Sequence, residues 1–510
     1  MSETDDDHGP FGKPLFDDPS ARALSRVGVV DVGSNSVRMV VFDGAARSPA
    51  YFYNEKIMCG LGKGLAETGR LNPEGRKRAL AALKRFSLLA KGMDVQTMTV
   101  VATAATREAA DGPEFQLQVL RETGLKLWVI DGGEEARLSA QGVLLGWPEA
   151  KGVVCDIGGN SMELARIGDG KVGKRVSTPL GPFRLQQATG TPKKRAQHID
   201  AILKEAQAQI KSTGERIYLV GGSWRVIARL DMERRNYPLT VLHEYRMTPQ
   251  GLLDTLDWIA SSDLAILRAR TGTSPERMEL VPLACEVLRE LLKMLKPSEI
   301  DVSAYGIREE LLYEQMPDRL RARDPLIEAA RMAEQLQARM PGFGKKLFDF
   351  LETLFKGVSP ERLRLIKAAC LLHDTTWRAH PDYRAEACFD SATRANLGGL
   401  DHQGRVFLGL ALLHRYKNSR AGSRMERLFS LLSDEDLMAA EVLGKAMRFG
   451  AMFSVGDPAS AGRLQWQPKK RLLELHLTPD GLGLFGEVAQ ARFAALALAL
   501  KATTKVSEIA

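Results

Sequence analysis

The chain has little cysteine, no long apolar run and no block of like charge. Its five cysteines (Cys59, Cys155, Cys285, Cys370, Cys388) are odd in number and scattered, with no CxxC pair. That argues against a disulfide framework and for buried free thiols in a reducing compartment. No apolar stretch approaches the ~18 residues that span a membrane. The opening MSETDDDHGPFGKPLFDDPS lacks the apolar centre of a secretory signal. A soluble, cytoplasmic protein without a membrane partner is therefore expected. Charge is 71 basic against 63 acidic residues, a net +8. With no run of about five or six like charges, a nucleic-acid tail has no support. The mild excess suits an anionic ligand or a solvated surface.

What is present is a repeated turn. A length of 510 residues allows two to four domains of roughly 100–200 residues each. Residues 29–44, VVDVGSNSVRMVVFDG, read as strand, polar turn and strand. A Gly- and Ser-rich turn can aim several backbone N–H groups at one anion, because glycine permits the bend and no Cβ blocks approach. The pattern returns at residues 154–170, VCDIGGNSMELARIGDG. Asp31 aligns with Asp156, Gly33 with Gly158, Asn35 with Asn160 and Ser36 with Ser161. One such turn reads equally well as a plain hairpin. Two in register suggest related domains that offer one turn each to a shared cleft. The spacing is too long for a solenoid. Where the first copy has Arg38, suited to an anion, the second has Glu163, suited to a metal or a water.

In chain order, residues 1–25 read as a mobile tail. Residues 56–71 are Gly-rich and read as a flexible loop near the cleft or a plain connector. Asn72-Pro73 opens a helix through 91, with Gly92 as its stop. The strand 97–103 leads to Arg107, which is placed either for a phosphate or for a surface salt bridge. The strand 127–131 leads to Gly132-Gly133-Glu134-Glu135 at a helix start, where acids also suit the helix dipole. Residues 173–200 read as basic and irregular. Arg184, Lys193, Lys194 and Arg195 there could line a path for a long anion or simply face solvent. The strand 216–220 runs into Gly221-Gly222-Ser223, and a helix follows from near Trp224. A last strand, 300–304, precedes a helix over 306–316. A charged linker around 316–325 leads to a largely helical module with a strand possible within 471–480.

At the two Asp-Gly-Asn-Ser turns, Thr106-Arg107-Glu108-Ala109-Ala110 and Asp131-Gly132-Gly133-Glu134-Glu135-Ala136-Arg137, the sequence resembles the exopolyphosphatase and guanosine pentaphosphate phosphohydrolase family of the actin, Hsp70 and sugar-kinase superfamily. The resemblance covers about residues 26–315. It implies an α/β fold with two ribonuclease-H-like domains around a cleft, residues 26–150 and 151–318. A mainly helical, degenerate HD-like domain then follows over 319–510. It implies Mg²⁺-dependent hydrolysis of the terminal phosphate of inorganic polyphosphate, with guanosine pentaphosphate as the alternative substrate. By motif position Glu135 is the catalytic glutamate and Arg107 the catalytic arginine. The phosphate turns are Gly33, Ser34, Asn35 and Ser36; Gly158, Gly159, Asn160 and Ser161; and Gly221, Gly222 and Ser223. Asp31, Asp156 and Glu163 are the metal-binding candidates. Gly133 stands where the family has asparagine, Asn160 where it has glycine, and Trp224 beside a turn that favours small residues. In the helical module only Leu371-Leu372-His373-Asp374 resembles an HD motif, with no histidine over 325–360. A metal-free domain is expected there, serving dimerisation or extending a basic path through Lys345, Lys346, Lys469 and Lys470. A kinase of the same superfamily and a non-catalytic polyphosphate or nucleotide sensor are the other readings; the Glu-Glu motif argues against the kinase.

Overall fold

The computed structural model describes residues 26–44, 46–187 and 191–509, so the expected tail, residues 1–25, lies outside the described residues. The described chain divides into two compact units, one ending at Ala322 and the other beginning at Arg323.

The first unit is built on two sheets with the same plan. β1 (Val27–Val32) and β2 (Ser36–Phe42) are Val-rich and almost wholly buried, as expected of strands covered on both faces. With β3 (Tyr51–Met58), β4 (Thr97–Ala102) and β5 (Leu127–Val129) they form a sheet in the order β3-β2-β1-β4-β5. The second sheet comprises β6 (Gly152–Ile157), β7 (Met162–Gly168), β8 (Lys171–Thr178), β9 (Ile217–Gly221), β10 (Tyr245–Met247) and β11 (Ile300–Val302). Its order, β10-β11-β9-β6-β7-β8, repeats the first plan with β10 added at one edge. The repeat holds residue by residue. Asp31 lies opposite Arg38 between β1 and β2, and Asp156 lies opposite Glu163 between β6 and β7. In the turns, the Gly33 amide donates to the Ser36 carbonyl at 3.0 Å and the Gly158 amide to the Ser161 carbonyl at 2.9 Å.

Two helices exchange lobes. The helix Gly132–Gly146, last in the first lobe, sets Ala136, Ala140, Val143 and Leu144 against Val154, Ala165, Ile167 and Val220 of the second sheet. The helix Ile307–Tyr313, which follows the last strand of the second lobe, sets Ile307, Leu311 and Leu312 against Val27, Val29, Val40 and Phe42 of the first. They cross at glycine: a Cβ on Gly142 would stand 2.7 Å from the Gly306 carbonyl oxygen. The lobes therefore meet along a seam between these helices, with the repeated turns above it.

Several sequence expectations are corrected. Residues 56–58 belong to β3 and 173–178 to β8. Both strands are half exposed and polar, so their period-2 signal is weak. The Gly-rich loop after β3 is tied down. The Cys59 and Gly60 amides donate to the Asn35 carbonyl at 3.0 and 2.9 Å, and the Gly62 amide to the Ser34 carbonyl at 2.8 Å. In the helix Pro73–Gly92, Asn72 caps the Gly75 amide as expected. Gly92 lies inside, and Met93 is the C-cap. Residues 192–210 are one helix, capped by Thr191.

The second unit is mainly helical. Phe350, Phe449, Phe453 and Phe493 pack together between the helices Phe343–Leu351, Asp434–Phe453 and Glu487–Ala499. It also holds a small sheet of β12 (Gly462–Gln467), β13 (Leu472–Leu477) and β14 (Thr503–Glu508), in the order β12-β13-β14. Only β13 was legible in the sequence. Among the described residues no helix is long and apolar enough to cross a membrane.

Candidate active site

Both repeated turns open on one cavity of about 190 Å³ between the lobes. Asp31, Gly33, Ser34, Asn35 and Ser36 line it from the first lobe, and Asp156, Gly158, Gly159 and Ser161 from the second. Gly221, Gly222 and Ser223 line it from the end of β9, and Glu135 from the helix between the lobes. The turns nearly touch: a Cβ on Gly159 would lie 2.9 Å from the Ser34 Cβ. Gly221 has φ +111°, and a Cβ there would stand 2.5 Å from the Ile157 carbonyl oxygen and 3.0 Å from the Asp156 Oδ1. No side chain fits that position. Trp224 is no obstacle to the third turn, because its ring is fully buried in the second-lobe core and its Nε1 donates to the Cys155 carbonyl at 3.2 Å.

Arg107, Asn160 and Glu163 stand outside this lining. Asn160 was expected at the phosphate. Its side chain instead lies behind the turn, 2% exposed, with Oδ1 unpartnered and facing Gly62. Its backbone is pressed by Gly181, where a Cβ would come within 2.2 Å of the Asn160 carbonyl carbon. Glu163 is 2% exposed and accepts from the Ser177 hydroxyl at 2.8 Å.

Helix geometry separates the two adjacent glutamates. Asp131 caps the helix by accepting from the Glu134 amide at 2.7 Å. Successive residues point about 100° apart around a helix. Glu134 turns out to pair with Arg137 at 2.9 and 2.7 Å. Glu135 turns in and is 6% exposed. The Arg107 Nη1 donates to Glu135 Oε2 at 3.1 Å and to the Ile130 carbonyl at 2.8 Å. Burial pushes the Glu135 carboxyl up to about 7, against the downward pull of Arg107. One turn on, Ser139 donates to Asp156. Burial also raises Asp156 and Glu163, and the Glu135 and Asp156 charges push Glu163 higher still. Three carboxyls thus share one region, opposed by Arg107 at Glu135 and by Arg225 and Arg308 at Asp156, and burial still leaves each raised. That is a field a divalent cation would relieve. Among the described residues no three His, Cys, Asp or Glu side chains form a ready-made metal cage. Mg²⁺ keeps several waters and takes one or two carboxylates, so the donor chemistry suits it. Asp31 is already engaged, accepting from the Arg308 Nη1 at 3.2 Å.

The cavity is also lined by Arg38, Lys56, Arg225, Arg277 and Arg308. Only Arg38 was read from the sequence as an anion ligand. Arg308 had a detectable signal, since it stands second in a helix that follows a strand and a Tyr305-Gly306 bend, much as Arg107 lies in the short helix Ala104–Glu108 after β4. Arg225 follows the third turn by two residues. Lys56 and Arg277 carry no local signal and arrive by packing. Burial, with the Arg308 charge, presses Arg38 down to about 10. Two of the four cations named in the basic stretch after β8 are paired. Arg184 pairs with Glu108 across the lobes, and Arg195 pairs with Glu286 at 3.0 and 2.7 Å. Lys193 and Lys194 are exposed.

In the second unit, His373 ends the helix Pro360–Leu372, buried, with Nδ1 2.8 Å from the Cys370 carbonyl. Burial holds its imidazole down at about 4. Asp374 accepts from Arg339 Nε and Nη2 at 2.8 and 2.7 Å. A guanidinium thus occupies both carboxylate oxygens where a metal would sit. Lys345 pairs with Asp349 at 2.9 Å, and Lys346 donates to the Gly456 carbonyl at 3.3 Å. Lys469 and Lys470 are exposed on a short 3₁₀ turn.

Known proteins resemble both units. Residues 40–319 match the model of the Ppx/GppA phosphatase family, and residues 326–507 match that of the exopolyphosphatase C-terminal domain. Retrograde regulation protein 2 of Saccharomyces cerevisiae is 27% identical over 507 residues, covering 89% of this chain and 80% of that protein. Exopolyphosphatase 1 of Mycobacterium leprae is 25% identical over 304 residues, 57% of this chain and 89% of that protein. Among solved structures, an exopolyphosphatase from Cytophaga hutchinsonii superposes with a TM-score of 0.52 at 24% identity, covering 56% of this chain and 96% of that one. That likeness concerns the fold.

Proposed function

The chain belongs to the Ppx/GppA phosphatase family of phosphohydrolases, and from that premise we propose that it is an exopolyphosphatase that removes the terminal phosphate of inorganic polyphosphate. One observation carries the choice of substrate. The cavity holds five cationic side chains beside its amide-rich turns and, among the described residues, no aromatic ring. A linear polyanion needs charge and N–H donors along its length, whereas a purine base is normally gripped by stacking.

Phosphoryl transfer is governed by positioning and by charge stabilisation. In this reading the turns at 33–36, 158–161 and 221–223 hold the terminal phosphate by backbone N–H and serine hydroxyls. Arg308, steadied by Asp31, and Arg38 grip the next phosphate. Glu135 accepts a proton from the attacking water, whose oxygen bonds to the terminal phosphorus while the bridging P–O bond breaks. The shortened chain leaves with the bridging oxygen as its terminal anion, and the water oxygen stays on the released phosphate. Arg107 orients Glu135 and keeps it ionisable near neutral pH. Asp156, held by Ser139, and Glu163, held by Ser177, would bind Mg²⁺. That ion, when bound, supplies positive charge to the phosphate oxygens.

A second reading, a polyphosphate or nucleotide sensor, is favoured by one fact. The match to a retrograde regulation protein spans 89% of the chain, against 57% for the exopolyphosphatase. Phosphate release from long-chain polyphosphate and from guanosine pentaphosphate, each with Mg²⁺ or EDTA, decides between them. Mg²⁺-dependent release from the polymer is expected. Preference for the nucleotide would make the chain an alarmone phosphohydrolase. Tight binding of either without turnover would establish the sensor.

A further inference from the structure

Arg38, Arg225 and Arg308 line one small cavity, and like charges so close need an opposing charge to stand there before any ligand arrives. Asp31 and Asp156 supply part of it, but both line the cavity themselves and would face an incoming polyanion. Glu309 does not line it and is 1% exposed. Burial, and then the Arg308 charge, lowers Arg38 and Arg225, and the Glu309 charge opposes the fall in each. Burial pulls Arg308 down too, yet the charges of Glu309 and then Asp31 leave it raised.

The contacts show how Glu309 is kept behind the wall. It is the third residue of the helix Ile307–Tyr313, and its Oε2 accepts from the Gly306 amide at 2.9 Å. Its Oε1 accepts from the Tyr51 hydroxyl at 2.8 Å, from the start of the edge strand β3. The Tyr51 ring lies 5.3 Å from that of Phe42, which packs in the same core as this helix. The Gly306 turn is also the mooring of the cleft cations. Arg225 Nε and Nη2 donate to the Ser303 and Ala304 carbonyls at 3.3 and 3.0 Å. The Ala304 amide donates to His243 Nδ1 at 3.2 Å. Arg308, two residues past Gly306, reaches Asp31 at 3.2 Å. A shift of this turn would therefore move Arg225 and Arg308 together.

We propose that Glu309, fixed by Tyr51, is a positioning residue of the cleft: it holds the turn that aims Arg308 and Arg225, and balances the cleft arginines with a charge the ligand never meets. The role rests on reading the cleft as a phosphate-chain site. With both carboxylate oxygens bonded, Glu309 does not swing in to compete with phosphate, and the guanidiniums are ordered before binding. A grip on the second phosphate is made in ground and transition state alike, so its loss falls on KM and leaves kcat.

The test is a mutant cycle of Glu309→Gln with Arg308→Ala, read by calorimetric binding of inorganic tripolyphosphate in EDTA and by KM and kcat for long-chain polyphosphate with Mg²⁺. Glu309→Gln should weaken binding and raise KM by about tenfold, the worth of a hydrogen bond to a charged group, with kcat nearly unchanged. In the Arg308→Ala background the same change should add less than about twofold, because the coupled partner is gone. Tyr51→Phe, which keeps the ring packing, should show a smaller loss of the same kind and carries the test should Glu309→Gln not fold. Equal losses in both backgrounds would make Glu309 mere structural support and overturn the proposal. Unchanged or tighter binding by Glu309→Gln would overturn it as well. A ligand-free arm separates this from the reading of the cleft: phenylglyoxal modification of Arg308, mapped by peptide mass, should quicken in Glu309→Gln, and an unchanged rate overturns the positioning role. Wild-type protein that binds tripolyphosphate but releases no phosphate would end the exopolyphosphatase reading, while the binding cycle and the modification rate still decide the role of Glu309.

Discussion

Replacing Glu135 with glutamine should make the protein a worse catalyst and a more stable fold. Glutamine keeps the shape and can still accept the 3.1 Å bond from Arg107, so the change removes little but ionisation. Loss of a general base lowers kcat by on the order of 10²–10⁴, about 3–5 kcal/mol of barrier. The opposite effect on stability follows from burial. A carboxyl held at about 7 against its ordinary 4.5 ionises in the folded state at a cost of about 3 kcal/mol. The sign follows from linkage. A raised folded pKa stabilises fully below the unfolded value, and the stabilisation is lost as pH rises through about 7. In metal-free buffer at pH 8, Glu135→Gln should therefore melt a few degrees above the wild type for a unit of this size, and most of the gap should be gone at pH 5. Phosphate release under saturating polyphosphate, with calorimetric melting at both pH values, measures both halves. Turnover within threefold of wild type would remove Glu135 from the chemistry. A fall in melting temperature at pH 8 would show that the carboxylate is favourably solvated and that the burial argument is wrong.

Arg107→Ala removes the cation that pulls the Glu135 carboxyl down; the acid limb of the pH–kcat profile should move upward, and an unmoved limb would detach Arg107 from Glu135. Gly62→Ala places a Cβ 2.8 Å from the Asn160 Oδ1 and 3.0 Å from the Ser34 Cβ; prising the two turns apart should lower kcat/KM by about tenfold or more, at a stability cost of about 1–3 kcal/mol, and unchanged kcat/KM would mean the turns need not touch. Glu310 lies beneath the lobe seam, 2% exposed, with one oxygen unpartnered and its carboxyl pushed up to about 9 by burial and Glu314. Its contribution is present below the ordinary 4.5 and lost as pH rises through about 9. The melting advantage of Glu310→Gln should thus grow from pH 6 to pH 9, and an advantage that stays constant with pH would contradict it.

The duplicated turn was legible because the chemistry is local. Asp, Gly, Asn and Ser at fixed offsets form the same hydrogen-bonded bend in either lobe, and Gly33 and Gly158 duly bond Ser36 and Ser161. The choice of Glu135 over Glu134 came from family resemblance, and helix geometry supplies the physical reason. Asn160 misled because its type suits a phosphate contact while its neighbours Gly62 and Gly181, distant in sequence, fix it behind the turn. The edge strands β3 and β8 were missed for want of a buried face.

The sequence by itself determined the strand–turn–strand repeat, the helix heads at Glu135 and Trp224, and the scarcity of metal ligands around His373. All of these depend on residues within a few positions of one another. The tertiary structure alone decided the cationic lining by Lys56, Arg225, Arg277 and Arg308 and the exchange of helices between lobes. Those groups lie tens to hundreds of residues apart and acquire their shared field only when packing removes the water between them. Charge and burial act through space, so no pattern along the chain announces them.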